Sequence, residues 1–272
     1  MSIKIENTEV LGWEAAIRGM RNPMNSWNKS DSLFIPRQFC DEDDTWALAE
    51  VCGSIAPVIK ENDHTLMMNL AHGGPVHAKY RRMITVYLDI TAPLYWWKEF
   101  DTYKVGTVAN SCSTMHKIHA KEFTLEDFSM EHLIGFETEG FGEHEIPRVD
   151  VSPLNDGSSV YSPYGVMKHI TIPMLNDCRE RYLDYISRPT KDVEKHRKNS
   201  KKYWWQMIQL LPSSYNQKRT VMLSYEVLTN MYDSRKHHKL DEWREFCKWI
   251  ESLPYSELIT GEREEEEPNG DV

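Results

Sequence analysis

Three polar segments of this sequence carry the residue types that bind small anionic or planar ligands. They are residues 72–77, 93–116 and 211–243. The first has two histidines around Gly-Gly-Pro, and the third ends in a cluster of Arg, Lys and His. In the second, a run of hydroxyl, amide and thiol side chains follows Gly106. Hydroxyls and backbone N–H groups on such a loop suit a phosphate or the edge of a nucleobase.

The second segment also predicts a helix that presents polar groups on one side. Glu99, Thr102 and Tyr103 stand at i, i+3 and i+4, so they share a helix face. An alternative interpretation remains open, in which Trp96 and Trp97 belong to the core and the polar run only caps the helix.

The spacing of cysteines and histidines argues against a metal site and against a disulfide framework. The five cysteines are an odd number at wide spacing without a Cys-x-x-Cys pair, and the 11 histidines form no His-Glu-x-x-His motif. We therefore predict no metal site, and mostly buried thiols in a reducing cytoplasm.

Composition and charge exclude several classes of protein. The 272 residues have a formal net charge of −10, and the segment 262–272 alone supplies five Glu, one Asp and one Arg. A protein that binds duplex DNA nonspecifically has a basic excess, so we expect no nucleic-acid partner. No stretch has the roughly 18 apolar residues of a membrane helix, and the start lacks the features of a signal peptide. These observations predict a cytoplasmic protein without a membrane partner.

The hydrophobic pattern predicts an α/β fold with a mixed sheet flanked by helices and long C-terminal helices. Residues 82–92 alternate between apolar and polar positions and give the strongest strand prediction. The other predicted elements are a strand at 2–11 and helices at 12–20, 44–51, 66–72, 94–103, 191–211, 220–232 and 240–253. Residues 135–165 predict a loop or insertion. We expect one domain over 1–261, followed by a disordered acidic tail at 262–272.

The order of these segments resembles that of the flavin-dependent thymidylate synthases, also described as the thymidylate synthase complementing protein type. The shared order is His-x-x-Pro, strand, Pro-Leu-aromatic, helix, Gly-Thr and a Ser/Asn cluster, then Leu-Pro, Tyr, a long helix and Arg. It covers residues 66–120 and 205–252. His72 stands where the family has a His near the flavin and folate, and Asn230 and Arg235 match an Asn and an Arg on the long C-terminal helix, of which the Arg holds the pyrimidine.

The signature of that family is rewritten in this chain. Its Arg-His-Arg triplet corresponds to Thr102-Tyr103-Lys104, and its helix Gln corresponds to Glu99. The Ser, Glu and Ser that follow correspond to Thr107, to Asn110 or Ser111, and to Ser113. Two arginines are thereby lost, and the candidate replacements are Lys98, Lys104, Lys117, Arg219, Arg81 and Arg82.

The resemblance implies specific roles for these residues. Arg235 and Glu99 are implied as catalytic residues. Cofactor-binding residues would be His72, Thr102, Tyr103, Lys104 and Asn230, and substrate-binding residues would be Thr107, Asn110, Ser111, Ser113 and Arg235.

The implied activity is methyl transfer to C5 of dUMP, giving dTMP. FAD would carry the hydride, methylenetetrahydrofolate would donate the carbon and NADPH would be a cosubstrate, in a homotetramer with shared active sites. Two alternatives remain open. One is an enzyme similar to pyrimidine nucleotide hydroxymethylases with altered cofactor use, and the other is a non-catalytic nucleotide-binding or structural protein.

Overall fold

The structure, a computed structural model, describes residues 3–34, 57–135, 151–153, 159–188 and 191–261. Contacts among them define two compact units. The sheet unit comprises the described residues within 3–91, 96–111 and 218–261. The helical unit comprises those within 92–95 and 112–217. The expectation of a single domain over 1–261 stays a prediction.

The described chain contains six strands and nine α-helices. The strands are β1 (Lys4–Leu11), β2 (Thr85–Pro93), β3 (Val108–Ser111), β4 (Val151–Pro153), β5 (Ser159–Tyr161) and β6 (Asn216–Ser224). The helices are α1 (Trp13–Arg21), α2 (Glu61–His72), α3 (Leu94–Phe100), α4 (Pro163–Val166), α5 (Ile172–Ser187), α6 (Val193–Leu210), α7 (Tyr225–Arg235), α8 (Asp241–Glu251) and α9 (Glu257–Thr260). Short 3-10 helices and one π-helical segment at Met167–Thr171 complete them.

The central sheet has the strand order β1-β2-β6-β3, and its β1–β2 and β3–β6 pairs are antiparallel. In β2 the predicted alternation is confirmed: Val86, Leu88 and Ile90 are fully buried, whereas Tyr87 is exposed. Strand side chains point alternately to opposite faces, so this pattern fixes which face of the sheet packs on the core. The predicted α/β class, a sheet flanked by helices, is therefore confirmed.

An aromatic cluster forms the core beside this sheet. The ring of Trp96 lies 4.9 Å from Trp97, 4.7 Å from Trp243 and 5.7 Å from Phe246, measured between centroids. All four side chains are buried, so the alternative that made Trp96 and Trp97 core residues is correct. Each such ring pair contributes about 1 kcal/mol beyond the burial of its apolar surface. The cluster joins α3 to α8.

The connection from β1 to α1 requires a glycine. Gly12 has a φ of +93°, and a Cβ at this position would lie 2.0 Å from the carbonyl oxygen of Met83. Any side chain would collide with backbone, which a rotamer change cannot relieve.

The helical unit is built around α5 and α6. Its core comprises the side chains of Ile118, Phe123, Phe128, Met130, Met167, Ile172, Leu175, Cys178 and Met207. The N-terminus of α6 is capped by Asp192, whose carboxylate accepts a hydrogen bond from the Lys195 backbone N–H at 3.0 Å. The helix runs over 193–210, close to the predicted 191–211.

Two predicted helices are wrong in part. The helix predicted over 94–103 ends at Phe100, so Thr102 and Tyr103 lie beyond it. The second is the helix predicted over 220–232. Residues 220–224 belong to strand β6, and the helix begins only at Tyr225. The buried Val221 and Leu223 alternate with the exposed Thr220, which is a strand pattern. Ser224 then caps α7 through its hydroxyl. The predicted helix at 44–51 and the acidic tail lie outside the described residues.

Within the described ranges, no helix is long and apolar enough to span a membrane. The same residues contain no group of three His, Cys, Asp or Glu side chains that could hold a metal ion.

A buried ion pair ties α1 to α2. The Arg21 Nε donates to Asp63 Oδ1 at 2.7 Å, and both side chains are buried. Asp63 also accepts hydrogen bonds from the Ser30 hydroxyl and from the backbone N–H groups of Asp31 and Ser32. Burial raises the pKa of this carboxyl, but the hydrogen bonds from Ser32, Ser30 and Arg21 outweigh burial and lower the pKa to about 2.

We predict that Asp63→Asn destabilises the protein by about 3 kcal/mol at neutral pH, because it leaves the buried Arg21 without its counter-charge. The pKa of Asp63 is lower in the folded state than in the unfolded state. Its stabilisation is therefore present above about pH 4 and is lost as the pH falls towards 2. Urea unfolding of the wild type and the variant should show the difference shrinking over that range. Asp233→Asn, on the exposed side of α7, is the control. A difference that is independent of pH would contradict the assignment.

Candidate functional site

Arg235 is the centre of a polar cluster in the sheet unit. Its Nη1 donates to Glu99 Oε2 at 2.7 Å and its Nε donates to the Tyr103 hydroxyl at 2.9 Å. Glu99 Oε2 also accepts from Trp243 Nε1 at 2.9 Å, and His238 Nε2 lies 3.4 Å from it. We call these five residues the Arg235 cluster. Three of its members, Arg235, Glu99 and Tyr103, are predicted site residues. The other two, Trp243 and His238, have no role implied by the resemblance.

Three members of the cluster lie in the terminal turns of helices. Glu99 lies in the last turn of α3, and Arg235 ends α7. Trp243 lies in the first turn of α8, where its ring is held by the aromatic core. Because the indole both packs in the core and donates to Glu99, the packing of α3 on α8 sets the direction of the carboxylate.

The guanidinium plane of Arg235 is held by rings as well as by hydrogen bonds. Its Cζ lies 4.7 Å from the Trp243 ring centroid and 5.6 Å from that of Tyr103. Nη2 makes no hydrogen bond to another described residue. The arrangement therefore offers a fixed donor whose positive charge is already balanced by Glu99. Such a donor suits a neutral carbonyl oxygen better than a phosphate.

A cavity of about 500 Å³ lies in the sheet unit beside another predicted residue, Asn230. Its walls are mostly apolar and are formed by Val105, Met222 and Val227, with Asn230 and an ion pair as polar groups. It is lined by Arg82, Thr85, Val105, Gly106, Met222, Ser224, Glu226, Val227 and Asn230. We call it the Asn230 cavity. Its volume is in the range of small-molecule sites.

The ion pair in this cavity neutralises its one arginine. Both Nε and Nη2 of Arg82 donate to Glu226 Oε1, at 3.2 and 2.9 Å. Asn230 and Arg235 are five residues apart on α7, so they point about 140° apart around the helix. The resemblance implies cofactor binding for Asn230 and substrate binding for Arg235, and the structure puts Asn230 on the cavity and Arg235 in a separate cluster.

The loop after α3 reaches the cavity through Gly106. Its φ is +77°, and a Cβ there would lie 3.1 Å from a methyl group of Val227. The next residue, Thr107, has a buried hydroxyl without a hydrogen-bond partner among the described residues. Asn110 and Ser111 follow on β3, where they pair with Thr220 and Arg219 and are exposed.

Four other predicted residues do not join these groups. His72 is the exposed last residue of α2, and Lys104 is exposed. The Thr102 hydroxyl donates to the Glu99 carbonyl at 2.7 Å, which is a helix-capping role. Ser113 lies in the helical unit, where its hydroxyl accepts from the backbone N–H groups of Met115 and His116. The predicted roles of all these residues stay predictions.

A pyrophosphate, such as that of a flavin dinucleotide, is well held by guanidinium forks. Three arginines of the predicted region already pair with carboxylates of this chain. In the predicted region Arg235 is paired with Glu99, Arg82 with Glu226, and Arg219 with Asp101 at 2.7 Å. Tyr103, for which the resemblance implies cofactor binding, packs edge-on against Trp243 and accepts a hydrogen bond from Arg235.

We predict that Glu99→Gln lowers the free energy of unfolding by about 1 kcal/mol. The amide keeps an acceptor for Trp243 but removes the charge that balances Arg235, and the site is partly exposed. Chemical denaturation measures the change, with Glu245→Gln on the exposed face of α8 as the control. Equal stability in the two variants would show that the Arg235 cluster is not held by this charge.

Two solved structures of thymidylate synthase X (ThyX) from Helicobacter pylori, both with FAD and dUMP, are similar to this chain. Each matches with a TM-score of 0.50 at 12% sequence identity over 96% of this chain, and over 97% and 98% of the ThyX chain. No protein-family model and no curated protein sequence matches. At this identity the similarity establishes the fold. The chain has the α/β fold of ThyX, with a four-stranded sheet flanked by helices.

Proposed function

We propose that this protein binds a deoxyuridine nucleotide, dUMP, and transfers one carbon to C5 of its pyrimidine ring. The observation that carries the proposal is Arg235, a guanidinium fixed by Glu99, Tyr103 and Trp243 with its Nη2 left as a donor. The ThyX fold over 96% of the chain supports it, since the ThyX structures hold dUMP.

The charge balance of the Arg235 cluster suits the pyrimidine rather than the phosphate. A uracil ring presents two carbonyl oxygens, and a neutralised guanidinium can donate to them without attracting a free anion. In this proposal Arg235 orients the base, while Glu99 and the Trp243 ring orient Arg235. Glu99 is then a positioning residue, and Arg235 is the group that touches the substrate.

The carbon donor proposed from the resemblance is methylenetetrahydrofolate. FAD is the proposed hydride carrier and NADPH the reductant, in a homotetramer with shared sites. When bound, a reduced flavin supplies the hydride that converts a methylene carbon to a methyl group. In a tetramer with shared sites, a neighbouring subunit would supply guanidinium groups to the cofactor, because the arginines of the predicted region pair with carboxylates of their own chain.

A second candidate is favoured by the pairing of the arginines. Transfer of the same carbon at the hydroxymethyl level requires water and no hydride, so it requires no flavin. Arginines that the structure describes in the predicted cofactor region are paired with carboxylates of the same chain. A reaction without flavin needs no arginine there to hold a pyrophosphate. The expected product is then a 5-hydroxymethyl deoxyuridine nucleotide.

One experiment separates the two candidates. The purified protein is incubated with dUMP and methylenetetrahydrofolate, with and without FAD and NADPH, and the nucleotide is examined by mass spectrometry. A methyl product that depends on both FAD and NADPH supports the first candidate. A hydroxymethyl product without them supports the second. Binding of dUMP without any product indicates a non-catalytic protein.

We predict that Arg235→Ala weakens dUMP binding by about 1.5–3 kcal/mol, the value of a hydrogen bond from a charged donor. Calorimetric titration of the folded variant measures the loss. Arg244→Ala is the matched control, because Arg244 lies on the next helix and pairs with Asp241 at the surface. If dUMP affinity is the same in both variants, Arg235 does not contact the nucleotide.

A further inference from the structure

The outward side of α6 concentrates positive charge next to an exposed ring. Four lysines and one tryptophan share it: Lys195, Lys198, Lys201, Lys202 and Trp205. At about 100° per residue they fall within an arc of about 120°. All five are exposed, with 42% of Trp205 accessible to solvent. We call this surface the lysine face.

One carboxylate, the exposed Glu194, lies within the same arc, so four lysines and one glutamate leave this side of the helix with a formal charge of +3. On the adjacent α5, Asp177 pairs with Arg181 and Asp184 pairs with Arg188, each within its own helix. The ion pairs among the described residues include none to the four lysines. A chain with a formal net charge of −10 therefore keeps a stripe of net positive charge on one helix.

The opposite side of α6 is occupied by packing within the helical unit. Tyr203 stacks on Tyr185 of α5 with centroids 5.8 Å apart, and the His196 ring lies 5.6 Å from Tyr185. Met207 is fully buried. A helix that inserts into a lipid surface needs a free apolar side, and α6 has already buried its own.

We propose that the lysine face binds single-stranded nucleic acid, with the lysines on the phosphates and Trp205 stacked on a base. Cations interleaved with an exposed aromatic ring are the pattern by which proteins hold single strands, since unpaired bases offer their faces for stacking. A duplex hides those faces, so the ring would contribute nothing to duplex binding. This proposal goes beyond the proposed function and does not depend on it.

The test is fluorescence anisotropy of a labelled oligothymidylate with the full chain over a range of salt concentrations. Contacts from three or four lysines predict a slope of log affinity against log salt of about −2 to −3 for a single strand. The variant Lys198→Glu/Lys202→Glu should bind at least about tenfold more weakly at low salt, with a slope smaller by about 1.4. The control Lys79→Glu/Lys248→Glu makes the same change of charge in the sheet unit and should bind as the wild type does.

The ring has its own test. Trp205→Ala should weaken binding about tenfold, whereas Trp205→Phe should retain most of it, because stacking needs the ring alone. An excess of dUMP should not displace the oligonucleotide, which separates the lysine face from the nucleotide site. Three results would each overturn the proposal: equal loss in the lysine variant and its control, equal or tighter binding of a duplex, or a preference for anionic lipid vesicles over the oligonucleotide.

Discussion

The indole of Trp243 connects the core of the sheet unit to the candidate site. Its ring packs 4.7 Å from Trp96, while its N–H donates to the carboxylate that holds Arg235. A buried indole whose N–H has no partner would lose a hydrogen bond, so the ring and the carboxylate constrain one another. The position of Arg235 follows from this contact, because its guanidinium lies against the same ring and on the same carboxylate. The geometry of the cluster therefore depends on the packing of α3 against α8.

A second constraint is the pairing of arginines with carboxylates across the sheet unit. Arg21 pairs with Asp63 in the interior, where neither charge could remain alone. Arg82, Arg219 and Arg235 also have carboxylate partners, although they are nearer to solvent. A guanidinium in such a pair keeps its direction and its remaining N–H donors, but its attraction for a further anion is reduced. The sheet unit thus offers oriented hydrogen-bond donors rather than an open positive pocket.

How far the sequence predicts the fold depends on the range of the interactions involved. The alternation in residues 82–92 was sufficient for β2, because burial of one sheet face imposes period two on its own strand. The boundary at Ser224 was missed because the apolar residues of β6 and α7 form one continuous run, and the capping hydroxyl was the only local signal. The predicted helices at 191–211 and 240–253 agree with α6 and α8 to within two residues at each end, since their buried stripes are local.

The candidate site was less predictable because its contacts join distant parts of the chain. Glu99 and Arg235 were both named from the resemblance, but their contact spans 136 positions and leaves no local pattern. Trp243 belongs to the third polar segment, residues 211–243. Its role as a hydrogen-bond donor to Glu99 depends on how α8 packs against α3. The resemblance implies different roles for Asn230 and Arg235, and the helical geometry of α7 points them about 140° apart.

Net charge is a sum over the whole chain, so it does not show where the charges lie in the fold. A value of −10 argued against a polyanionic partner, yet the structure segregates the charges. In the sheet unit, arginines are paired with carboxylates at short range, so they contribute little to the field at a distance. On α6 the four lysines of the outward side form no ion pair with a described residue, and with Glu194 beside them that side keeps a net positive charge. The field at this surface depends mainly on charges within about one Debye length, because more distant charges are screened. The sign of a protein's charge predicts its partners only where the charges are evenly mixed, and in this fold they are not.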